Sequence, residues 1–178
     1  FIDDQSAIFS SEIPLVLRKT TNVSKDLHGS KSKMSNQANE HVAEVRRVYA
    51  ELAARPIERN CTRLTECCQF KLTGLTPYLT KGEALLAARA FRATGRKKLA
   101  DEKNGACPLL DQISGRCLIY ADRPFACLTH FCAAAGGPLA RREVLDLIRR
   151  LETIDAQLGG DGQRKLPAAV GDALRETA

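Results

Sequence analysis

Apolar residues recur with helical period in three stretches of the chain. From Ser35 onward, Val42, Val45, Tyr49 and Leu52 stand three or four residues apart, the spacing of one helix face. Ser35 can cap the start of that helix, and Pro56 predicts its end near Ala54. Thr80-Lys-Gly-Glu83 fits a capping box, in which the Thr hydroxyl accepts a free backbone N–H and the Glu carboxylate reaches back. It predicts a helix through about Thr94, with Ala84, Ala87, Ala88 and Phe91 on one face and Gly95 closing it. Gly136-Gly-Pro138 predicts the start of a third helix, since Pro suits a first turn. Its apolar positions are Val144, Leu147, Ile148, Leu151, Ile154 and Leu158, and Gly159-Gly160 end it. A last short helix after Pro167 is expected to fray. Only Cys117-Leu-Ile-Tyr120 reads as a strand, paired with residues near 108–110. The expected fold is mainly α: a small helical domain with irregular cysteine-rich loops and one short β-hairpin at most.

Residues 18–33 are polar, basic and without period, and the sole Met is Met34. Residues 1–33 are therefore expected outside the fold, as a tail, a fusion remnant or a mis-set start. The fold proper is assigned to residues 34–160, with 161–178 as a short C-terminal helix or tail. No internal repeat is present.

Composition narrows the function classes. The chain has 178 residues with 44% apolar, which suits one folded domain and excludes wholesale disorder. No run of 18 apolar residues exists, so no membrane span is expected. Ile13-Pro-Leu-Val-Leu17 is too short for the apolar stretch of a secretory signal, which places the chain in the reducing cytosol. There, clustered cysteines bind metal more often than they crosslink. Seven cysteines cannot all pair within one chain in any case.

Those cysteines carry the candidate chemistry. They read Cys61-x5-Cys67-Cys68, then Cys107-x9-Cys117-x9-Cys127-x4-Cys132. Thiolates are soft ligands for Zn²⁺ or iron–sulfur clusters, and irregular loops are what bring four of them to one point. Pro108, Gly115 and Pro124 punctuate the second group. The competing reading is that some of the thiols are ordinary small core residues.

The stretch CPLLDQISGRCLIYADRPFAC, from Cys107 to Cys127, resembles the signature of the YkgJ-type cysteine-cluster family. That family is named for its CxxCxxCC motif and described as zinc- or iron-chelating. Cys107-Pro108, Cys117-Leu-Ile-Tyr120 and Arg123-Pro124-Phe-Ala-Cys127 match the family pattern, and Cys132 fits its closing position. In the first group Cys61, Cys67 and Cys68 match, but Leu64 stands where the motif has its second cysteine. The resemblance spans residues 61–132 and implies metal binding, with catalytic function mostly unassigned in the family. A flagellin lysine N-methylase belongs to the same broad group.

Eight thiolates could complete two four-coordinate sites, and seven leave one position open. His130, between Cys127 and Cys132, is the nearest candidate for an eighth ligand; the alternative is an ordinary surface or core histidine. Arg123 is a candidate to donate to the thiolates from outside the ligand shell, against a simple ion pair with Asp122 or Asp111. Tyr120 is a candidate for the same shell, or a packing residue. The metal is left open between zinc and an iron–sulfur cluster. Two other function classes remain: a metal-dependent enzyme or enzyme partner, in protein methylation or redox chemistry, and a zinc-stabilised nucleic-acid binder. An open metal position beside Leu64 would mark the enzyme. The basic run Arg92, Arg96, Lys97 and Lys98 encourages the nucleic-acid reading, together with a pI near 9.0. No aromatics interleave with it to stack bases, and charge at a helix C-terminus explains it as well. No phosphate-binding glycine loop, HExxH or CxxC redox pair is present.

Overall fold

The computed structural model describes residues 26–177 apart from 60, 62 and 101–104, with side chains described from residue 36 onward. Expectations for residues 1–25 lie outside the described residues. Among the described residues six α-helices carry the fold: α1 (Asp26–Ala54), α2 (Phe70–Thr73), α3 (Lys81–Ala93), α4 (Phe125–Thr129), α5 (Leu145–Gln157) and α6 (Leu166–Glu176). The mainly α expectation holds. Two strands of two residues each, β1 (Tyr78–Leu79) and β2 (Arg164–Lys165), pair antiparallel. No helix among the described residues is long and apolar enough to cross a membrane.

The middle helix is α3. Its Thr80 cap forms the expected box, with Glu83 N–H on the Thr80 hydroxyl and Thr80 N–H on the Glu83 carboxylate. The helix is buried on more than the one predicted face, because Leu85 and Leu86 are covered as fully as Ala87 and Ala88. Three neighbours account for this: α1, α5 and α6 all pack on it. The packing needs Gly82. A Cβ there would meet Ile154 Cγ2 and Val45 Cγ2, each at 3.0 Å, so the glycine lets α1 and α5 close on the same turn.

Three sequence expectations are corrected. Helix α1 already includes Asp26, upstream of Ser35: no proline occurs between Asp26 and Ala54 to stop the backbone, so the missing apolar period upstream hid real helix. Helix α5 begins at Leu145 and not at Pro138. The N–H of Leu139 is taken by Thr129 O at 2.9 Å, and that of Ala140 by Glu143 Oε2 at 2.7 Å; a 3₁₀ turn at Arg141–Glu143 follows. The last helix is not frayed. Leu166, Ala169, Val170, Ala173 and Leu174 of α6 are buried, and Arg92 of α3 donates to Thr177 O and Leu174 O at its C-terminal end. Leu166 N–H also bonds Pro77 O at 2.8 Å, which, with the β1–β2 pair, ties the start of α6 to the start of α3.

The expected hairpin near Cys117 shrinks to one antiparallel bridge, Leu110 with Cys117. A 3₁₀ turn at Tyr120–Asp122 ends the extended backbone before a ladder can grow.

Candidate metal centre

Two loops carry most of the cysteines, and the backbone fastens them together. Cys107 N–H donates to Cys68 O at 2.7 Å and Lys71 N–H to Gly105 O at 2.9 Å. Gly105 makes this approach possible. Its φ is +64°, and a Cβ there would lie 2.5 Å from Lys71 Cβ, closer than any side chain allows. The second loop doubles back on itself: Asp111 N–H donates to Arg116 O and Leu118 N–H to Leu109 O. The Asp111 carboxylate holds the turn by accepting Ser114 N–H and hydroxyl. Cys107 and Cys117 thus come from the two arms of one tight loop, beside Cys68.

The first loop is strained where it presents its thiols. Arg63 and Thr65 have φ of 59° and 58°, a left-handed conformation that costs side-chain-bearing residues about 1–2 kcal/mol each. From Thr65 the chain enters the 3₁₀ turn Glu66–Cys68, closed by Cys68 N–H on Thr65 O at 2.8 Å. Cys127 arrives separately, on α4. That helix is held by its first N–H, from Phe125, which donates to Glu83 Oε1 at 2.9 Å. Glu83 Oε1 also accepts the Tyr49 hydroxyl at 3.1 Å. One buried carboxylate therefore joins α1, the cap of α3 and the helix that carries Cys127. Burial raises its pKa, against the pull of the four donors that surround it.

Cys61, Cys67, Cys68, Cys107, Cys117 and Cys127 line one cavity of about 180 Å³. Three of the other predicted residues, Tyr120, Arg123 and His130, line it as well. Cys132 does not: it lies just past α4, where its carbonyl accepts Ala135 and Gly137 N–H. Leu64 is 60% exposed and stands off the cavity wall. His130 also lines a neighbouring cavity of about 320 Å³, which shares Cys67 and Cys127 with the first.

The thiols differ in ionisation. Cys67 is lowered to about 6, chiefly because Cys68 donates its S–H to the Cys67 sulfur, with the Cys67 N–H and the Arg123 charge adding to it. Cys68 is raised in return. Burial raises Cys127 and Cys117. A cation bound beside raised thiols would supply the charge that favours their deprotonation. Among the described residues, no three His, Cys, Asp or Glu side chains already stand together as a finished metal site. The donor set fits zinc or iron by its chemistry, while the spacing corresponds to thiols spread over a cavity wall.

Two arginines that sequence reasoning passed over are part of the same wall, Arg63 and Arg116. Arg63 Cζ lies 4.6 Å from the Tyr120 ring centroid and Arg123 Cζ 4.1 Å from it. Among the described residues Arg123 makes no ion pair with either acid: Asp122 pairs with Arg46 at 3.2 Å and Asp111 with Arg96 at 2.7 Å. The available signal was the position of these arginines, one two residues after Cys61 and the other directly before Cys117.

A family model described as "CxxCxxCC: Putative zinc- or iron-chelating domain" matches residues 59–146, from just before Cys61 to the first turn of α5. Neither the curated proteins nor the solved structures offer a significant match. Residues 59–146, with the cysteine loops, the Arg123-Pro124 turn and α4 inside that span, thus match the CxxCxxCC family.

Proposed function

We propose that the protein binds a transition metal, zinc or iron, through the cysteines of this cavity. The observation that carries the reading is that six of the seven cysteines, drawn from separate parts of the sequence, face one cavity. The ligands are drawn from Cys61, Cys67, Cys68, Cys107, Cys117 and Cys127 on the wall, with Cys132 just past α4 as the remaining thiol candidate. His130 has no side-chain hydrogen bond among the described residues and lines the same wall, which supports its role as the ligand that replaces the missing thiol. Arg123, without a carboxylate partner among the described residues, offsets thiolate charge from outside the ligand shell. The bound ion would supply Lewis acidity or electrons; the chain supplies soft donors, a half-enclosed pocket and balancing cationic charge.

Between the metals, seven thiols with an adjacent Cys67-Cys68 pair match no common zinc-finger spacing, which favours an iron–sulfur cluster. Titrating the metal-free protein with Co²⁺ under anaerobic conditions tests the ligand set. Thiolate-to-cobalt charge-transfer absorption is expected in the wild type and is expected to be lost in Cys107→Ser. His130→Ala is expected to change the visible bands. Unchanged bands in His130→Ala would remove the histidine from the set, and full absorption in Cys107→Ser would remove the cavity as the site.

A further inference from the structure

We propose that Arg63, Arg116 and Arg123 form an oxyanion-binding subsite on the wall of the cysteine cavity, two of them held over the Tyr120 ring. Three guanidinium groups share this wall. Among the described residues none of them has a carboxylate partner, and the two nearby acids in sequence, Asp122 and Asp111, are taken by Arg46 and Arg96. Arg123 Nε is buried and makes no hydrogen bond among the described residues, so one donor of its fork is unpartnered there.

The arrangement is imposed and not incidental. Arg63 reaches the Tyr120 ring from a left-handed backbone position, φ 59°, while Arg123 is held on the same ring by the turn before Pro124. Stacking on an aromatic face fixes each guanidinium plane and leaves its N–H edge free. Fixed forks hold carboxylate or phosphate groups through paired hydrogen bonds. The ligand class is therefore a small molecule bearing a carboxylate or phosphate, brought alongside the thiols of the proposed metal site. The subsite rests on that metal reading only for what the bound molecule would meet there.

The test is calorimetric titration of the full chain, after its metal content has been measured, with inorganic phosphate and separately with acetate at low ionic strength. Saturable binding of at least one of them is expected. Arg123→Lys, which keeps the charge and loses the fork, is expected to weaken it about tenfold, and so is Arg63→Ala. Arg63 and Arg116 are exposed, so their alanine variants leave the core intact and provide the control for folding. Unchanged metal content in Arg63→Ala and Arg116→Ala, together with weakened anion binding, supports the subsite. No saturable binding to a metal-loaded wild type overturns it, as does a loss of metal in Arg123→Lys with anion binding untouched. Anion binding by a wild type that takes up no metal would support the subsite and contradict the metal reading, which keeps the two failures apart.

Discussion

Glu83 shows how one side chain can serve two levels of structure. In sequence it is the third residue of a capping box, and the box forms as written. What the pattern does not reveal is that its other oxygen accepts from Tyr49 and from Phe125 N–H, because those contacts depend on where α1 and α4 pack. Glu83→Gln would present an amide NH₂ to at least one existing donor, a loss of about 1–3 kcal/mol. Its titration has a definite sign. The folded pKa is raised by burial, so between the unfolded value near 4.5 and the higher folded value the native state holds the proton more tightly. Stability from this group is present below the unfolded value and is lost as pH rises through the folded one. Urea midpoints of the wild type, compared with Glu83→Gln across that window, are expected to fall more steeply with pH; parallel curves would contradict the assignment. Gly105 acts at the same scale. Gly105→Ala would push the 68–71 and 105–107 segments apart, so reduced metal content at nearly unchanged helical circular dichroism is the expected outcome. Normal metal content would show that the two loops need not touch.

Among the elements, legibility followed the strength of local signals. The start of α3 was readable because a capping box is a short, self-contained motif. The start of α5 was not, since the N–H groups that delay it are claimed by Thr129 O and by Glu143, one of them ten residues upstream. Helix α6 was expected to fray because a short terminal segment cannot stabilise itself; its stability is tertiary, from α3 and the β1–β2 pair. Leu174, in the last turn of α6, is 7% exposed. Leu174→Ala is expected to cost about 2–5 kcal/mol in chemical unfolding. A loss below 0.5 kcal/mol, of the order seen at exposed positions, would mean that this end is loose after all. The α1–α5 seam is different: Arg150 bridges Glu44 at 2.8 Å and also reaches Glu51, but all three side chains are substantially exposed. Pairs of that kind contribute little in salt.

For the whole molecule, a helical scaffold carries two hydrogen-bonded loops, the first of them strained, that gather thiols and arginines on one cavity. The cysteine candidates were legible because thiol spacing is distinctive, and six of them do share a wall. Arg63, Arg116 and the second role of Glu83 were not legible, because charge and capping have ordinary explanations until the fold brings distant residues together. The departures also became intelligible only in three dimensions: Leu64 turns outward, and His130 stands on the wall. If the thiols close on a metal, binding draws on folding free energy, so removing metal with a chelator is expected to lower the thermal midpoint by several degrees, read by circular dichroism; an unchanged midpoint would separate the metal from the fold. The most direct measurement is metal and acid-labile sulfide content, with an absorbance scan, on protein purified anaerobically. The proposed metal site predicts zinc or iron at about one equivalent or more per chain, and iron with sulfide and a broad band near ~400 nm if the ligands hold a cluster. Protein carrying neither metal, and taking up neither on anaerobic reconstitution, would contradict it.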